Sequence, residues 1–194
     1  MHVRGAGLML GLALVATARA EPPKDIEAVL AHPIYPQLYL CSEHYAGQFD
    51  YLGDALGTDC MVADLDDIDG RYFMRTYLRD GARNEDWYGW NTPVLSPCDC
   101  TVAKIRINPA VNVPGNMGDK PSSSVELLRA DGVHFLLAHI QAPAVQVGDQ
   151  VAAGQALAKV GNNGFARNPH VHVAAWRGDT PLQIRWDQRT MGHL

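Results

Sequence analysis

The second half of the chain consists of short apolar runs separated by turn residues, a pattern that strongly restricts its fold. From Thr92 onward, runs of four to eight residues are bounded by Gly, Pro, Asn and Asp. They span residues 93–96, 101–107, 124–129, 133–140, 155–160 and 170–176. Runs of this length with such boundaries are typical of β-strands, and no long helical periodicity follows Leu30. The sequence therefore predicts a mainly antiparallel β protein, a sandwich or barrel.

Three histidines in two of these runs are candidates for a metal centre. His170 and His172 are two positions apart in a predicted strand, so their side chains project from the same face. His139 lies near the end of the run 133–140. By strand alternation it shares a face with apolar residues, so a histidine packed in the core is the alternative interpretation for it.

The first twenty residues have the organisation of a secretory signal peptide. Arg4 supplies a positive charge, residues 5–16 are largely apolar, and Ala18-Arg19-Ala20 has the small-x-small pattern of a cleavage site. We expect residues 1–20 to be removed on export, so that the protein is periplasmic or extracellular. No later apolar run is long enough to span a bilayer, and an uncleaved anchor is the alternative.

The rest of the chain is long enough for one domain with a sizeable core. We divide it into an N-terminal extension packed on the core, residues 21–80, and a β domain, residues 81–194. The formal net charge of the chain is −5, and removal of Arg4 and Arg19 with the signal peptide makes it −7. This balance argues against a nucleic-acid partner, because phosphate binding needs a basic face.

All four cysteines, Cys41, Cys60, Cys98 and Cys100, lie in the exported part. An even number in an oxidising compartment favours two disulfides over a zinc knuckle, with three pairings available. Proximity in sequence favours joining Cys41 to Cys60 and Cys98 to Cys100. Cross-pairing remains open, because Cys98 and Cys100 would close a very small ring. We therefore expect an irregular, disulfide-linked N-terminal extension.

The extension itself has few strong signals. Residues 24–31 are compatible with a short helix that ends before Pro33. His44 lies in a polar loop and, without a partner at metal-binding spacing, is interpreted as a surface residue. The acidic stretch 64–70 fails the spacing of a calcium loop and is interpreted as a solvated turn, whereas residues 71–78 alternate as a strand.

Several short motifs occur in a characteristic order between Asp86 and Trp176. They lie at residues 92–102, 137–140, 147–155, 161–164 and 169–172. This order resembles that of the lysostaphin-like zinc metalloendopeptidases, which are secreted enzymes of the duplicated hybrid motif fold. The resemblance implies a barrel-sandwich hybrid architecture. It also implies an enzyme that uses Zn2+ to cut peptide bonds in the cross-bridges or stem peptides of peptidoglycan.

The resemblance also implies roles for the histidines. His172 would be a zinc ligand, and His139 and His170 would flank the attacking water and the scissile carbonyl. The chemistry agrees, because catalytic zinc keeps an open position for water and nearby imidazoles can transfer its proton. Asp86, six residues ahead of Thr92, matches the aspartate ligand of the family.

The chain departs from the family four residues before Asp86, where Ala82 replaces a histidine ligand. The oxygen donors Asn84 and Asp80 are close in sequence, and the extension could instead bring in His44. Asn84, the candidate for the uncertain third ligand, would give a weaker site than histidine because zinc prefers nitrogen, sulfur or carboxylate oxygen.

Two other function classes follow from the same residues. The missing histidine is compatible with a catalytically degenerate module that binds cell-wall fragments or regulates a partner. Residues 147–155 also resemble a turn of biotinyl or lipoyl carrier domains. In that class the modified lysine is at an exposed hairpin tip, whereas Lys159 lies inside a predicted strand, and export removes the chain from cytoplasmic ligases.

Overall fold

A computed structural model of the chain describes residues 25–119 and 121–193, so the predicted signal peptide at 1–20 lies outside the described residues. The strands are β1 (Ala28–Ala31), β2 (Tyr39–Glu43), β3 (Thr58–Val62), β4 (Asp64–Ile68), β5 (Arg71–Arg75), β6 (Pro93–Leu95), β7 (Cys100–Arg106), β8 (Ser124–Arg129), β9 (Val133–Ala138), β10 (Ile140–Gln141), β11 (Gln150–Val151), β12 (Ala156–Val160), β13 (Val171–Arg177) and β14 (Thr180–Trp186). The helical elements of this part of the chain are a 3-10 helix, Asn84–Asp86, and the α-helix α1, Gln188–Met191. The prediction of a mainly antiparallel β protein is confirmed.

The strands form one large sheet, one small sheet and a hairpin. The large sheet has the order β1-β14-β13-β9-β8-β7-β11, and β3 pairs with both β13 and β2 beside this path. The small sheet has the order β10-β12-β6, and β4 pairs with β5. The pairings are antiparallel apart from β1 with β14. Residues of the predicted extension thus continue the sheet of the β domain.

The main core lies on one face of the large sheet, against the small sheet. Val125, Phe135 and Val173 of the large sheet and Val94 and Val160 of the small sheet are fully buried in one apolar cluster. Burying each such side chain contributes about 1.5–3 kcal/mol. Because side chains alternate along a strand, the opposite face of β7, β8, β9 and β13 is available to form a site.

Two expectations for the extension are wrong. The helix predicted over residues 24–31 does not form: β1 is a strand that pairs in parallel with β14, and Val29 and Ala31 alternate into the core. Most of the acidic stretch 64–70 is a strand and not a turn, because residues 64–68 form β4, which makes a hairpin with β5. The turn is confined to Asp69 and Gly70, both at positive φ, the geometry that two-residue hairpins favour.

The two disulfides join the cysteines that are near in sequence. Cys41 is bonded to Cys60, and these residues are directly opposite each other in the β2–β3 pair. Cys98 is bonded to Cys100 immediately before and at the start of β7. The favoured pairing is confirmed, and the described chain has no free cysteine.

In the part of the chain that the structure covers, no helix is long and apolar enough to cross a membrane.

Candidate metal centre and cleft

The structure brings His139, His170 and His172 together. The ring centroids of His139 and His170 are 4.6 Å apart, and those of His139 and His172 are 6.3 Å apart. His172 is in β13, His170 immediately precedes that strand, and all three side chains are buried. The catalytic and ligand roles expected for them remain predictions.

The backbone of His139 explains how this side chain reaches the group. Strand β9 ends at Ala138, and His139 has a φ of 63°, in the left-handed region. This conformation costs a non-glycine residue on the order of 1 kcal/mol or more. It interrupts the alternation that would place the ring among the apolar residues of β9. The ring instead lies beside His170 and is not part of the apolar cluster that forms the core.

His139 is held in one tautomer. Its Nδ1 lies 2.8 Å from the carbonyl oxygen of Asn163. Because a carbonyl oxygen only accepts hydrogen bonds, Nδ1 donates and the lone pair is on Nε2. Burial and the nearby charge of His170 lower the pKa of His139 to about 3. The ring is therefore neutral at pH 7, with an unprotonated Nε2.

Asp59 is a site residue that the sequence interpretation missed. It is opposite His172 in the β3–β13 pair, and its Oδ1 is 2.9 Å from Nδ1 of His172 and 3.6 Å from Nε2 of His170. Burial raises the pKa of the Asp59 carboxyl, but the hydrogen bonds and charges of the two histidines outweigh it and hold the pKa well below its usual value. Asp59 is thus an ionised carboxylate among imidazoles.

His172 is bonded through both ring nitrogens. Besides the Asp59 contact, its Nε2 lies 2.7 Å from the carbonyl oxygen of Gly53 and 3.3 Å from Oδ1 of Asp54. Burial alone lowers the pKa of His172, but the hydrogen bond and charge of Asp59 outweigh it, and the net pKa is raised. Two acceptors on one ring stabilise the imidazolium, and a bound cation could take the place of a proton there.

His44 also belongs to this group, so its interpretation as a surface residue is wrong. Its Nδ1 donates to the carbonyl oxygen of Asp54 at 2.9 Å, and its Nε2 lies 3.5 Å from Oδ2 of Asp59. The ring is 5.3 Å from that of His172. Its backbone N–H donates to the carbonyl oxygen of Gly57, which fixes the loop after β2. The N-terminal extension therefore supplies both His44 and Asp59.

His44, Asp59 and His172 form a candidate metal centre. Each offers one ligand atom, and these atoms lie within 4.8 Å of one another, the one such group found in residues 25–119 and 121–193. Two imidazole nitrogens and a carboxylate oxygen are a ligand set that zinc accepts. Nδ1 of His44 donates a hydrogen bond to the carbonyl oxygen of Asp54, which leaves Nε2 available to bind a metal. Histidine ligands usually donate their other ring N–H in this way. The donor set therefore fits zinc.

Asp86 and Asn84 are engaged elsewhere. The Asp86 carboxylate is buried, 2.8 Å from a guanidinium nitrogen of Arg79, and accepts from the backbone N–H of Arg83 at 3.2 Å. Asn84 donates to the carbonyl oxygen of Asn112 and accepts from the side chain of Asn162. Neither belongs to the donor group around His172. Metal binding by Asp86 and Asn84 stays a prediction.

The centre opens onto a cleft of about 290 Å³. Its floor is the face of β7, β8, β9 and β13 that is turned away from the main core, and the loop 51–54 forms one wall. The lining residues are Tyr51, Gly53, Asp54, Lys104, Arg106, Pro121, Ser122, Ser124, Glu126, Leu136, Ala138, His139, Phe165, His172 and Trp176. An extended peptide could therefore reach His139 and His172 from solvent.

The family model described as Peptidase family M23 matches residues 88–184, which is half of the chain. The match covers the three clustered histidines and ends in β14. It begins after His44 and Asp59, so the two donors from the extension lie outside it. No match was found among curated proteins.

Several solved structures are similar to parts of the chain. One is a protein from Pseudomonas aeruginosa assigned to the M23 peptidases, with 26% identity and a TM-score of 0.39, covering 48% of this chain and 37% of that one. The catalytic domain of the antimicrobial peptidase lysostaphin from Staphylococcus simulans has 19% identity and a TM-score of 0.44, covering 74% and 86%. A zinc-containing peptidase from Vibrio cholerae has 15% identity and a TM-score of 0.39, covering 74% and 54%.

Proposed function

Because the chain belongs to peptidase family M23, we propose that it is an exported zinc-dependent endopeptidase that hydrolyses peptide bonds in peptidoglycan cross-links. The observation that carries the proposal is the grouping of three histidines with an ionised carboxylate at one end of an open cleft. Two disulfides in a chain with a signal-like N-terminus support export, because such bonds persist in oxidising compartments.

In this proposal His44, Asp59 and His172 hold the metal. Zinc at such a site lowers the pKa of a bound water to about 7 and polarises a carbonyl oxygen as a Lewis acid. His44 takes the place of the histidine that the family has four residues before Asp86, where this chain has Ala82. Metal binding by Asp86 is the competing assignment, and variants of Asp59 and Asp86 separate the two.

His139 and His170 move the proton and bind the substrate carbonyl. Neutral His139, fixed by Asn163, presents a free Nε2 that can accept a proton from water. From the same position the ring can pass that proton to the leaving amine. Nδ1 of His170 donates to the carbonyl oxygen of Asn168 at 2.8 Å, which orients the ring. In the imidazolium form, Nε2 also carries a proton and can donate it to a developing oxyanion.

A catalytically degenerate wall-binding module is the second candidate, and Ala82 is the observation that favours it. Such a module would keep the cleft but bind no metal. Zinc content therefore separates the two candidates before any substrate is tested.

The test begins with the purified exported chain, whose zinc content is measured by mass spectrometry. We expect about one zinc per chain and cleavage of cross-linked stem peptides that stops with a chelator and returns with zinc. His139→Ala should keep the metal and lose on the order of 100-fold or more in turnover, whereas His172→Ala should lose both. His32→Ala is the matched control, because His32 contacts the carbonyl oxygen of Pro33 and does not line the cleft. Absence of bound metal at micromolar free zinc would overturn the proposal.

A further inference from the structure

Lys104 and Arg106 are two cations on the floor of the cleft that contains His139 and His172. Both side chains are exposed, and neither forms an ion pair with a residue of the described chain, although the chain carries a net negative charge. By contrast, Arg129 is paired with Asp131 at 2.8 Å. Two unpaired cations in a substrate cleft create a local positive potential that selects for anions.

The nearest acid of the cleft floor forms no ion pair with either cation. Glu126 is opposite Lys104 in the β7–β8 pair, but its carboxylate is bonded to Nδ1 of His134 at 2.9 Å. The His134 ring in turn stacks on Trp176, with centroids 5.3 Å apart. The other acid of the cleft, Asp54, lies beside His172 at the opposite end. The cleft therefore has a basic end and an end that holds the candidate metal centre.

The strand register fixes the spacing between these two ends. Arg106 is opposite Ser124, Ser124 is opposite Ala138, and Ala138 is opposite His172. Three steps between neighbouring strands amount to about 14 Å. An extended peptide spans that distance with about four residues. A chain that crosses the strands from His172 would therefore bring its third or fourth residue to Arg106.

We propose that Lys104 and Arg106 bind a free carboxylate of the peptide substrate, three or four residues from the bond that is cleaved at His139 and His172. This inference rests on the proposed peptidase function for the position of the cleaved bond. A guanidinium binds a carboxylate through two parallel hydrogen bonds, and the ammonium of Lys104 adds a second charge. The substrate class is thus an acidic peptide with a carboxylate on the β7 side of the cleaved bond.

The experiment compares one set of peptides in two chemical forms. Cross-linked stem peptides are released from peptidoglycan, and half of the preparation is treated with carbodiimide and ammonia to convert its carboxylates to amides. Binding of each form to the zinc-loaded His139→Ala protein is measured by calorimetry, and hydrolysis of each form by the parent protein is followed by chromatography. The test variant adds Lys104→Gln and Arg106→Gln. The matched control adds Lys159→Gln and Arg185→Gln, which remove the same charge from exposed strand positions that do not line the cleft.

We expect the acid form to bind about 10- to 100-fold more tightly than the amide form, the range expected for hydrogen bonds between charged groups. The Lys104/Arg106 variant should lose this preference, and the Lys159/Arg185 variant should keep it. Equal binding of the two forms, no binding of the acid form, or a preference that survives in the Lys104/Arg106 variant would each overturn the inference.

Hydrolysis separates the failure of this inference from the failure of the proposed function. If both forms are cleaved equally fast, the peptidase function stands and carboxylate recognition is wrong. If neither form is cleaved but the acid form binds through Lys104 and Arg106, carboxylate recognition stands and the peptidase function is wrong.

Discussion

The disulfide between Cys41 and Cys60 should control zinc affinity, because it connects the two donors of the extension. Asp59 immediately precedes Cys60, and His44 follows Cys41 by three residues. The bond closes a loop with a sequence separation of 19, which includes both donors and the wall of the cleft. Strand β2 pairs only with β3 within the described sheet, so little else anchors the His44 side of the loop.

The chain-entropy relation gives the size of the effect. Closing a loop of this length with a disulfide removes chain entropy equivalent to about 3 kcal/mol from the undocked state. If the loop undocks freely without the disulfide, zinc binding must restore this order, so the full 3 kcal/mol or so opposes binding. The Kd for zinc then rises by roughly 100-fold. If the β2–β3 pairing retains part of the order, the rise is smaller, and we expect at least about 10-fold.

The perturbation is the double variant Cys41→Ala/Cys60→Ala, and the assay is zinc competition with a chromophoric chelator. The matched control is Cys98→Ala/Cys100→Ala, which removes a disulfide with a sequence separation of 2. That small ring contributes about half as much entropy and contains no metal donor. If the Cys41/Cys60 variant binds zinc as tightly as the parent, or if both variants weaken zinc binding equally, the disulfide does not control zinc affinity through the donor loop.

Three further predictions concern single residues. A Cβ at Gly57 would lie 2.8 Å from Cε1 of His172. Gly57→Ala should therefore displace that ring and weaken zinc binding in the same competition assay. Gly89→Ala is the control and should have no effect, because its Cβ would meet its neighbours at ordinary contact distance. Asp59→Asn keeps the shape but removes the charge of a donor, and should raise the Kd for zinc by more than about 100-fold, beyond the effect of outer-shell partners; an unchanged Kd would exclude Asp59 as a ligand. The pKa of His139 is about 3 in the fold and about 6.5 when unfolded, so the unfolded state binds more protons between these values and stability falls as the pH falls from about 6.5 towards 3. In metal-free protein this residue should account for about 2 kcal/mol of the unfolding free energy that is lost between pH 8 and pH 5. Denaturant unfolding of His139→Gln should show a loss that is smaller by this amount. An equal loss in the parent and in His139→Gln would contradict a buried, neutral His139.

Local patterns were sufficient to predict the β fold and the shared face of His170 and His172, whereas the place of His139 beside them was implied by the family resemblance. Strand runs with glycine and proline boundaries report on nearby residues, and His170 and His172 are on one face because a strand has a period of two. The same kind of pattern was insufficient for β1. The composition of this segment is compatible with a helix, but it forms a strand because it pairs with β14. This partner is far away in the sequence, so local propensity does not reveal it.

The donors from the extension could not be identified from spacing, because they are defined by strand pairing. Asp59 and His172 are 113 positions apart and meet only because β3 is beside β13. His44 reaches the group through the loop that joins β2 to β3. The available signal is chemical rather than positional: Ala82 removes one family ligand, which directs attention to the extension. That signal pointed to His44 but not to Asp59.

Diffraction from zinc-soaked crystals, with data collected on both sides of the zinc absorption edge, tests the central claim most directly. We expect one strong anomalous peak about 2.0–2.2 Å from a nitrogen of His44, a nitrogen of His172 and a carboxylate oxygen of Asp59. A peak bonded to the carboxylate of Asp86, or no peak near His172, would contradict it.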